Sequence, residues 1–449
     1  MQKPNYIPLT LLLVIAVIGI LPQFMGVPTQ IITEGINSGD VAWMLIATAL
    51  VLLMTPGLAY FYGGMVNNKN VISTMLQSFI AMGVISLVWV VCGFSLAFGE
   101  SIGGFIGNPA TFFMFNGVVD GKPWPLAASI PLVLFAFFQL KFAVITPALV
   151  TGSMAERINF RSYVLFMILF SSFVYAPLAH WTWHPDGFLF KGFGLGTGVL
   201  DFAGGTVVHM SAGWAALAGA LYLKRRRTHA DAIIAPPANI PFVLLGTGLL
   251  WFGWFGFNAG SAVGASPLAA IALATTHTAA AAAGLAWVLF DVAKGKKVSA
   301  LGFCIGAVVG LVAITPAAGF VTVPTAIFIG AIAAITSNYV AHMRTKTTLD
   351  DTLDVFPCHG VGGMVGMLMT GIFASKGINA AVTTEGLAFG ETGLFFTHLI
   401  ALVVVSAFAF VMSYLMLKIT DTILPLRVSE ADEKEGLDVS QHDEFLIEA

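Results

Sequence analysis

Apolar residues run along this chain in long blocks, with polar positions gathered at the joins between them. Blocks of this kind lie near 42–62, 71–97, 126–149, 162–182, 200–222, 240–261, 266–290, 300–318, 324–342, 355–374 and 392–418. A bilayer core about 30 Å thick takes roughly 20 apolar residues as a helix. The pattern predicts an all-α integral membrane protein with 11 transmembrane helices. A further apolar run, IPLTLLLVIAVIGILPQFMG (Ile7 to Gly26), follows Lys3. Its basic start and apolar core suit a signal peptide. It is also long enough to span, which would make 12 helices. The expected organisation is a signal peptide or extra helix over 1–26, a membrane domain over 41–426 and a tail over 427–449.

Composition supports the membrane reading. Hydrophobic residues make up 57% of the 449 and charged residues only 10%, against about 25% charged in soluble domains. The net charge of −3 gives no argument for a nucleic-acid partner. Cys92, Cys304 and Cys358 show no paired spacing, so neither a disulfide framework nor a zinc site is expected.

Charge in the loops sets orientation. Fifteen Lys/Arg fall on one set of alternate loops and the C-terminal segment: Lys69, Arg157, Arg161, Lys224 to Arg227, Lys294, Lys296, Lys297, Arg344, Lys346, Lys418, Arg427 and Lys434. The other side holds three, Lys122, Lys191 and Lys376. Cytoplasmic loops carry the excess of Lys and Arg. The C-terminus is therefore expected in the cytoplasm, and the protein in the cell (inner) membrane as a multi-pass chain. The polar, acidic tail beyond Arg427 reads as a disordered end or an interaction tail.

One arrangement occurs twice. DFAGGTVVHMSAG sets Asp201 eight residues before His209, with Gly213 four residues on. DTLDVFPCHGVGG repeats this with Asp351, His359 and Gly363. The first lies in the fifth block and the second in the tenth, so the two run in opposite directions. Eight residues at about 1.5 Å each bring both histidines close to the midplane. That is the pattern of an inverted 5+5 repeat, with halves near 41–223 and 240–374 and the block at 392–418 left over. A packed histidine bonding a carbonyl is the plain structural alternative. In lipid an ionisable group is costly and marks a pathway. Two adjacent imidazoles resist double protonation and can share one proton. His180 and His184 have metal-like spacing, but Pro185 follows, and no metal site is expected.

The remaining candidates are aromatic. FFQLKF (Phe137 to Phe142), HWTWH (His180 to His184) and WFGWFGFNAGS (Trp251 to Ser261) belong at or near one end of their spans. Aromatic faces hold a desolvated cation by the ring quadrupole. Trp181 reads as an interfacial belt residue. Phe257, beside Asn258 and Gly260, suits a pore. Lys141, beside Phe142 in mid-span, reads as a helix-interface residue, and His277 as structural. Gly302, Gly306 and Gly310 form a face for close helix packing. There is no Walker A motif, GxSxG or EF-hand, and an enzyme is not expected.

These segments resemble the ammonium transporter family (Amt/Mep/Rh), as a bacterial or archaeal Amt-like member. The likeness is carried by PGLAYFYGGMV, MAERI, DFAGGTVVH, GWFGFNAGS, TPAAG, HGVGG and TGIFA, from about Ala42 to the tail. The resemblance implies a homotrimer with one pore per subunit and no cofactor. It implies an outer ammonium site at Phe142, Trp183 and Ser261, ordered by Asp201. It further implies a gate of Phe142 and Phe257 with Trp254 near the entrance, and twin pore histidines at His209 and His359. Ammonium would be recruited outside, deprotonated and passed on as ammonia, with methylammonium a further candidate substrate. A PII-type signalling protein would dock on the cytoplasmic face. The tail EGLDVSQHDE carries HDE where the family often has HGE. An ammonium sensor with little flux is the main alternative; a carrier of another neutral solute would have no use for a cation site.

Overall fold

The computed structural model describes residues 6–24, 31–230 and 236–446. Helices dominate, and the only strands among the described residues form a small hairpin, Ser101–Ile102 against Ile106–Gly107. In chain order we label the helices α1 (Ile7–Phe24), α2 (Ser38–Met65), α3 (Asn68–Phe98), α4 (Leu132–Met154), α5 (Phe160–Trp183), α6 (Gly205–Leu223) and α7 (Ile240–Gly260). There follow α8 (Pro267–Ala293), α9 (Ala300–Ile314), α10 (Val323–Arg344), α11 (Phe356–Phe373) and α12 (Gly393–Ile423). Ten of these are long and apolar enough to cross a membrane, while the apolar parts of α1 and α9 are shorter. The chain is a multi-pass membrane protein.

Polar caps set many of the boundaries. The side chains of Asn37, Asn159, Asn239, Ser266, Ser299 and Thr322 each accept a backbone N–H of the first turn of α2, α5, α7, α8, α9 and α10. Three expected boundaries move. The block at 126–149 becomes helical only at Leu132, after Pro131. The block at 300–318 ends at Ile314, where Thr315 and Pro316 turn the chain. The block at 200–222 becomes helical only at Gly205, so Asp201 precedes the helix as its cap instead of opening it. Counting eight helical residues from Asp201 to His209 therefore overstates the helical rise.

Small residues let the helices approach, since lipid supplies no hydrophobic drive between them. On α7, a Cβ at Gly246 would fall on Phe61 and Gly57 of α2, and one at Gly256 on Leu50 and Ala47. The expected small-residue face of α9 behaves likewise: Gly306 and Gly310 lie on Ala283 and Ala279 of α8.

α6 and α11 are the paired elements. Each begins with a π-helical turn, Gly205–Met210 and Phe356–Val361, that carries its histidine. They meet where Gly213 faces Gly360 so closely that any Cβ would strike backbone. The loop before α6 and the loop before α11 lie on opposite faces of the bundle. The second shares its face with the C-terminal segment, and we call it the tail face; the other is the far face.

The tail, described through Leu446, folds against the bundle, contrary to a disordered end. After Arg427 it forms α13 (Glu430–Glu435), opened by a capping box of Ser429 and Asp432, and α14 (Leu437–His442). Asp438 accepts the N–H groups of Ile72 (3.1 Å) and Ser73 (2.7 Å). Leu437 N–H donates to Asn70 Oδ1 at 2.8 Å, and the Lys69 ammonium donates to the carbonyls of Glu433 and Lys434. Polar composition alone suggests disorder, but these bonds satisfy the tail's groups against the bundle. Of the N-terminal run, Ile7–Phe24 is helical; 1–5, 25 and 26 lie outside the described residues.

Candidate functional site

The site is built from the loop before α6 inward. Asp201 Oδ1 accepts the N–H groups of Gly204 (2.8 Å) and Gly205 (2.6 Å), and Oδ2 accepts the N–H of Thr206 (2.7 Å) and its hydroxyl. Gly204 has φ 115°, which only glycine adopts readily and which turns three N–H groups onto one carboxylate. The Asp201 backbone carbonyl in turn accepts the indole N–H of Trp183 at 3.1 Å. Asp201 thus fixes the tryptophan, and its carboxylate is spent inside the loop. Thr206 completes this cap, and sequence reasoning did not single it out. A carboxylate followed by two glycines and a threonine at the head of a helix was the available sign.

Beyond this loop lies a far-face cavity of about 630 Å³, lined by Phe142, Trp183, Asp201 and Ser261 among others. The expected outer-site residues are therefore brought to one space. Trp183 stands edge-on to Phe142, with centroids 5.9 Å apart. Ser261 donates its hydroxyl to the Phe257 carbonyl at 2.8 Å, which leaves oxygen lone pairs as acceptors. Gln139, one turn before Phe142, also lines the cavity with a buried Oε1 that has no partner.

The floor of the cavity is the Phe142–Phe257 pair, centroids 4.1 Å apart and both buried. Below it is a chamber of about 10 Å³ lined by Phe257, Trp254, His209, His359 and apolar residues including Leu58, Phe61 and Val308. That volume is near the least that admits one water-sized molecule. His209 Nδ1 lies 3.3 Å from His359 Nδ1. One of these nitrogens must carry hydrogen and the other accept it, which leaves one Nε2 as acceptor and one as donor. His209 Nε2 is buried without a hydrogen-bond partner among the described residues. Trp254 sits deeper than the entrance: it stacks on His209 at 5.3 Å and donates its N–H to Thr315. A second space of about 10 Å³ continues past His359 toward the tail face, lined by Tyr62, Leu353, Val355 and Cys358 among others.

Other expected residues fall elsewhere. Trp181 is not an interfacial belt residue; it is buried, donates its N–H to the Phe105 carbonyl and packs on Phe408. The hairpin and α12 cover it, which a local pattern does not reveal. Both His180 nitrogens are engaged, by the Ala97 carbonyl and Ser101 Oγ, and its ring stacks on His184. The Lys141 ammonium lies 5.5 Å from the Phe137 ring centroid, one turn along α4. His277 stands exposed on α8 beside Trp251.

On the tail face, Arg226 binds Asp350 through Nε and Nη2 (2.9 and 2.8 Å) and Glu156 through Nη1 (2.7 Å). Arg157, fully buried, donates to the Asp350 carbonyl and to Thr352. Burial pushes Asp350 up, but the hydrogen bonds and charge of Arg226 and Arg157 outweigh it and hold the group at about 2. This network ties the loops before α5, α7 and α11 together.

The Ammonium Transporter Family model matches residues 42–446. The chain belongs to the ammonium transporter family. It is 44% identical over 411 residues to a putative ammonium transporter of Methanothermobacter thermautotrophicus, covering 91% of this chain and 98% of that one. The crystal structure of Saccharomyces cerevisiae Mep2 superposes with a TM-score of 0.81 at 33% identity, covering 88% of each chain. A structure described as a sensor Amt protein also superposes at 0.81, with 30% identity, covering 90% of this chain and 98% of that one. The site geometry of this family member is thus an aromatic-lined recess, a closed ring pair and a histidine chamber in series.

Proposed function

We propose that the protein transports ammonium across the cell membrane, taking it up at the far face, which we assign to the outside. The observation that carries this is the series order of the three spaces. Trp183 and Phe142 offer aromatic faces and Ser261 offers lone pairs, a set suited to a small cation with N–H groups. The ring pair and the chamber beyond offer almost no oxygen to replace a hydration shell. An ion able to give up a proton continues as a neutral molecule; potassium cannot. In the chamber, the donor and acceptor Nε2 positions match the lone pair and N–H groups of ammonia. Membership of the family and the names of its relatives support the same substrate.

The tail face is then cytoplasmic, in keeping with its basic loops, and residues 41–426 form the transport domain with 427–449 as its tail. We further propose that the protein works as a homotrimer of independent pores. The ordered tail face is where a PII-type regulator would act.

The test is charge movement in proteoliposomes after an ammonium jump, with potassium as control and internal pH read in parallel. Ammonium-specific current or alkalinisation of the lumen is expected. Neither signal, with folded protein present, overturns the transport reading. It would leave sensing with little flux, a reading favoured by the likeness to the sensor Amt structure.

A further inference from the structure

The two aspartates that precede the histidines are unequally engaged. Asp201 has four donors on its two oxygens. Asp351, with no solvent exposure, has one: Phe356 N–H donates to Oδ2 at 2.8 Å. Its Oδ1 is buried without a hydrogen-bond partner among the described residues, although the Val355 N–H lies close enough to favour the carboxylate. The turn is otherwise the same, since Asp354 occupies the left-handed region (φ 55°) just where Gly204 does. The threonine hydroxyl that completes the first cap has no counterpart, because Phe356 stands in its place. Leaving a buried carboxylate oxygen unmet is destabilising. Nothing in helix capping requires that cost.

The location gives it a use. Leu353, Val355 and Cys358 of the same segment line the space that continues past His359 toward the tail face. Asp351 itself does not line that space; it lies buried behind the lining, two residues before Leu353 on the same loop. The other charged groups around it are Asp354 on its own loop, Arg344 at the end of α10, and Arg157. Asp354 is paired with Arg344 and partly exposed, and its N–H donates to the Asp351 carbonyl.

We propose that Asp351 is the proton-handling residue at the cytoplasmic mouth of the pore, working through its free Oδ1. This rests on the transport reading above. Oδ1 accepts a proton that has reached the inner space and becomes a carboxylic acid. Ammonia leaving the histidine chamber then takes that proton on its lone pair. An N–H bond forms, the O–H bond breaks, and ammonium departs while the carboxylate is restored. Burial, then the Asp354 carboxylate, pushes the group up to about 6 against the Phe356 N–H and the Arg344 charge. It can therefore both gain and lose a proton near neutral pH.

The experiment records ammonium-driven current and ammonium uptake in proteoliposomes over a series of internal pH values. The unmodified protein should show an inflection near 6. Asp351→Asn keeps an acceptor for Phe356 N–H but cannot titrate. Its current should fall by about a hundredfold and lose the inflection, whereas Asp354→Asn should keep it. Asp351→Asn with unmodified current and inflection overturns the proposal. If that variant does not fold, the unmodified protein decides: a current that ignores internal pH around 6 overturns it equally. Uptake without any current also overturns it, because no proton then crosses, and leaves transport standing. Loss of both signals in the unmodified protein is failure of the transport reading itself.

Discussion

Replacing Asp201 by asparagine is the sharpest test of how the outer site is held. The carboxylate accepts three N–H groups at 2.8, 2.6 and 2.7 Å and one hydroxyl. An asparagine in the same pose can keep Gly204 and Gly205 on its amide oxygen. Those two bonds lose their charge assistance, about 1 kcal/mol each. Its NH₂ then faces the Thr206 N–H, donor against donor, and a buried N–H left unmet costs about 1–3 kcal/mol. The Thr206 hydroxyl can rotate to accept and adds little. The sum is about 4 kcal/mol against the closed loop, or about a thousandfold in its population. Because the Trp183 indole hangs from the Asp201 carbonyl, the aromatic recess opens with the loop. Ammonium uptake at limiting concentration should collapse, and the unfolding temperature of the solubilised protein should drop. Unchanged uptake together with an unchanged unfolding temperature would refute the reasoning, since either the cap or its link to Trp183 would then be inert.

Trp183→Leu removes one ring face from the proposed cation site, where a desolvated cation–ring contact is worth about 2 kcal/mol, so half-saturation of uptake should rise about thirtyfold; unchanged uptake at limiting ammonium counts against the recess as the binding site. His209→Ala removes one of the two paired imidazoles, and should abolish or alter ion coupling and selectivity in currents while the protein elutes unchanged on gel filtration. Arg226→Met strands two carboxylates that are at most 8% exposed, and should cost about 3–5 kcal/mol by thermal or denaturant unfolding. In the unmodified protein Asp350 sits at about 2, below its unfolded value of about 3.9. Its contribution is therefore whole above about pH 4 and lost as pH falls through about 2. Asp438→Ala removes the acceptor for two N–H groups at the head of α3, worth about 1 kcal/mol, and should speed proteolysis within residues 428–446.

Hydropathy and loop charge were enough to read a multi-pass helical protein, because lipid permits few other ways to satisfy a backbone. The recurrence of aspartate, histidine and glycine was equally legible, and its two histidines do share one chamber. Hydropathy placed Asp201 inside its block, and only the carboxylate followed by two glycines and a threonine hinted that it stands outside the helix as a cap. Pattern misplaced Trp181, which is buried by a distant hairpin and by α12, and it left the tail open to disorder although Asp438 and Lys69 pin it. Trp254 and Phe257 are three residues apart on one helix, and only packing decides that one stacks on a histidine while the other closes the floor of the vestibule. Likewise, two aspartates at equal spacing looked equivalent. Tertiary structure alone shows four donors on one and a single donor on the other, since a carboxylate's partners are set by the turn that folds around it.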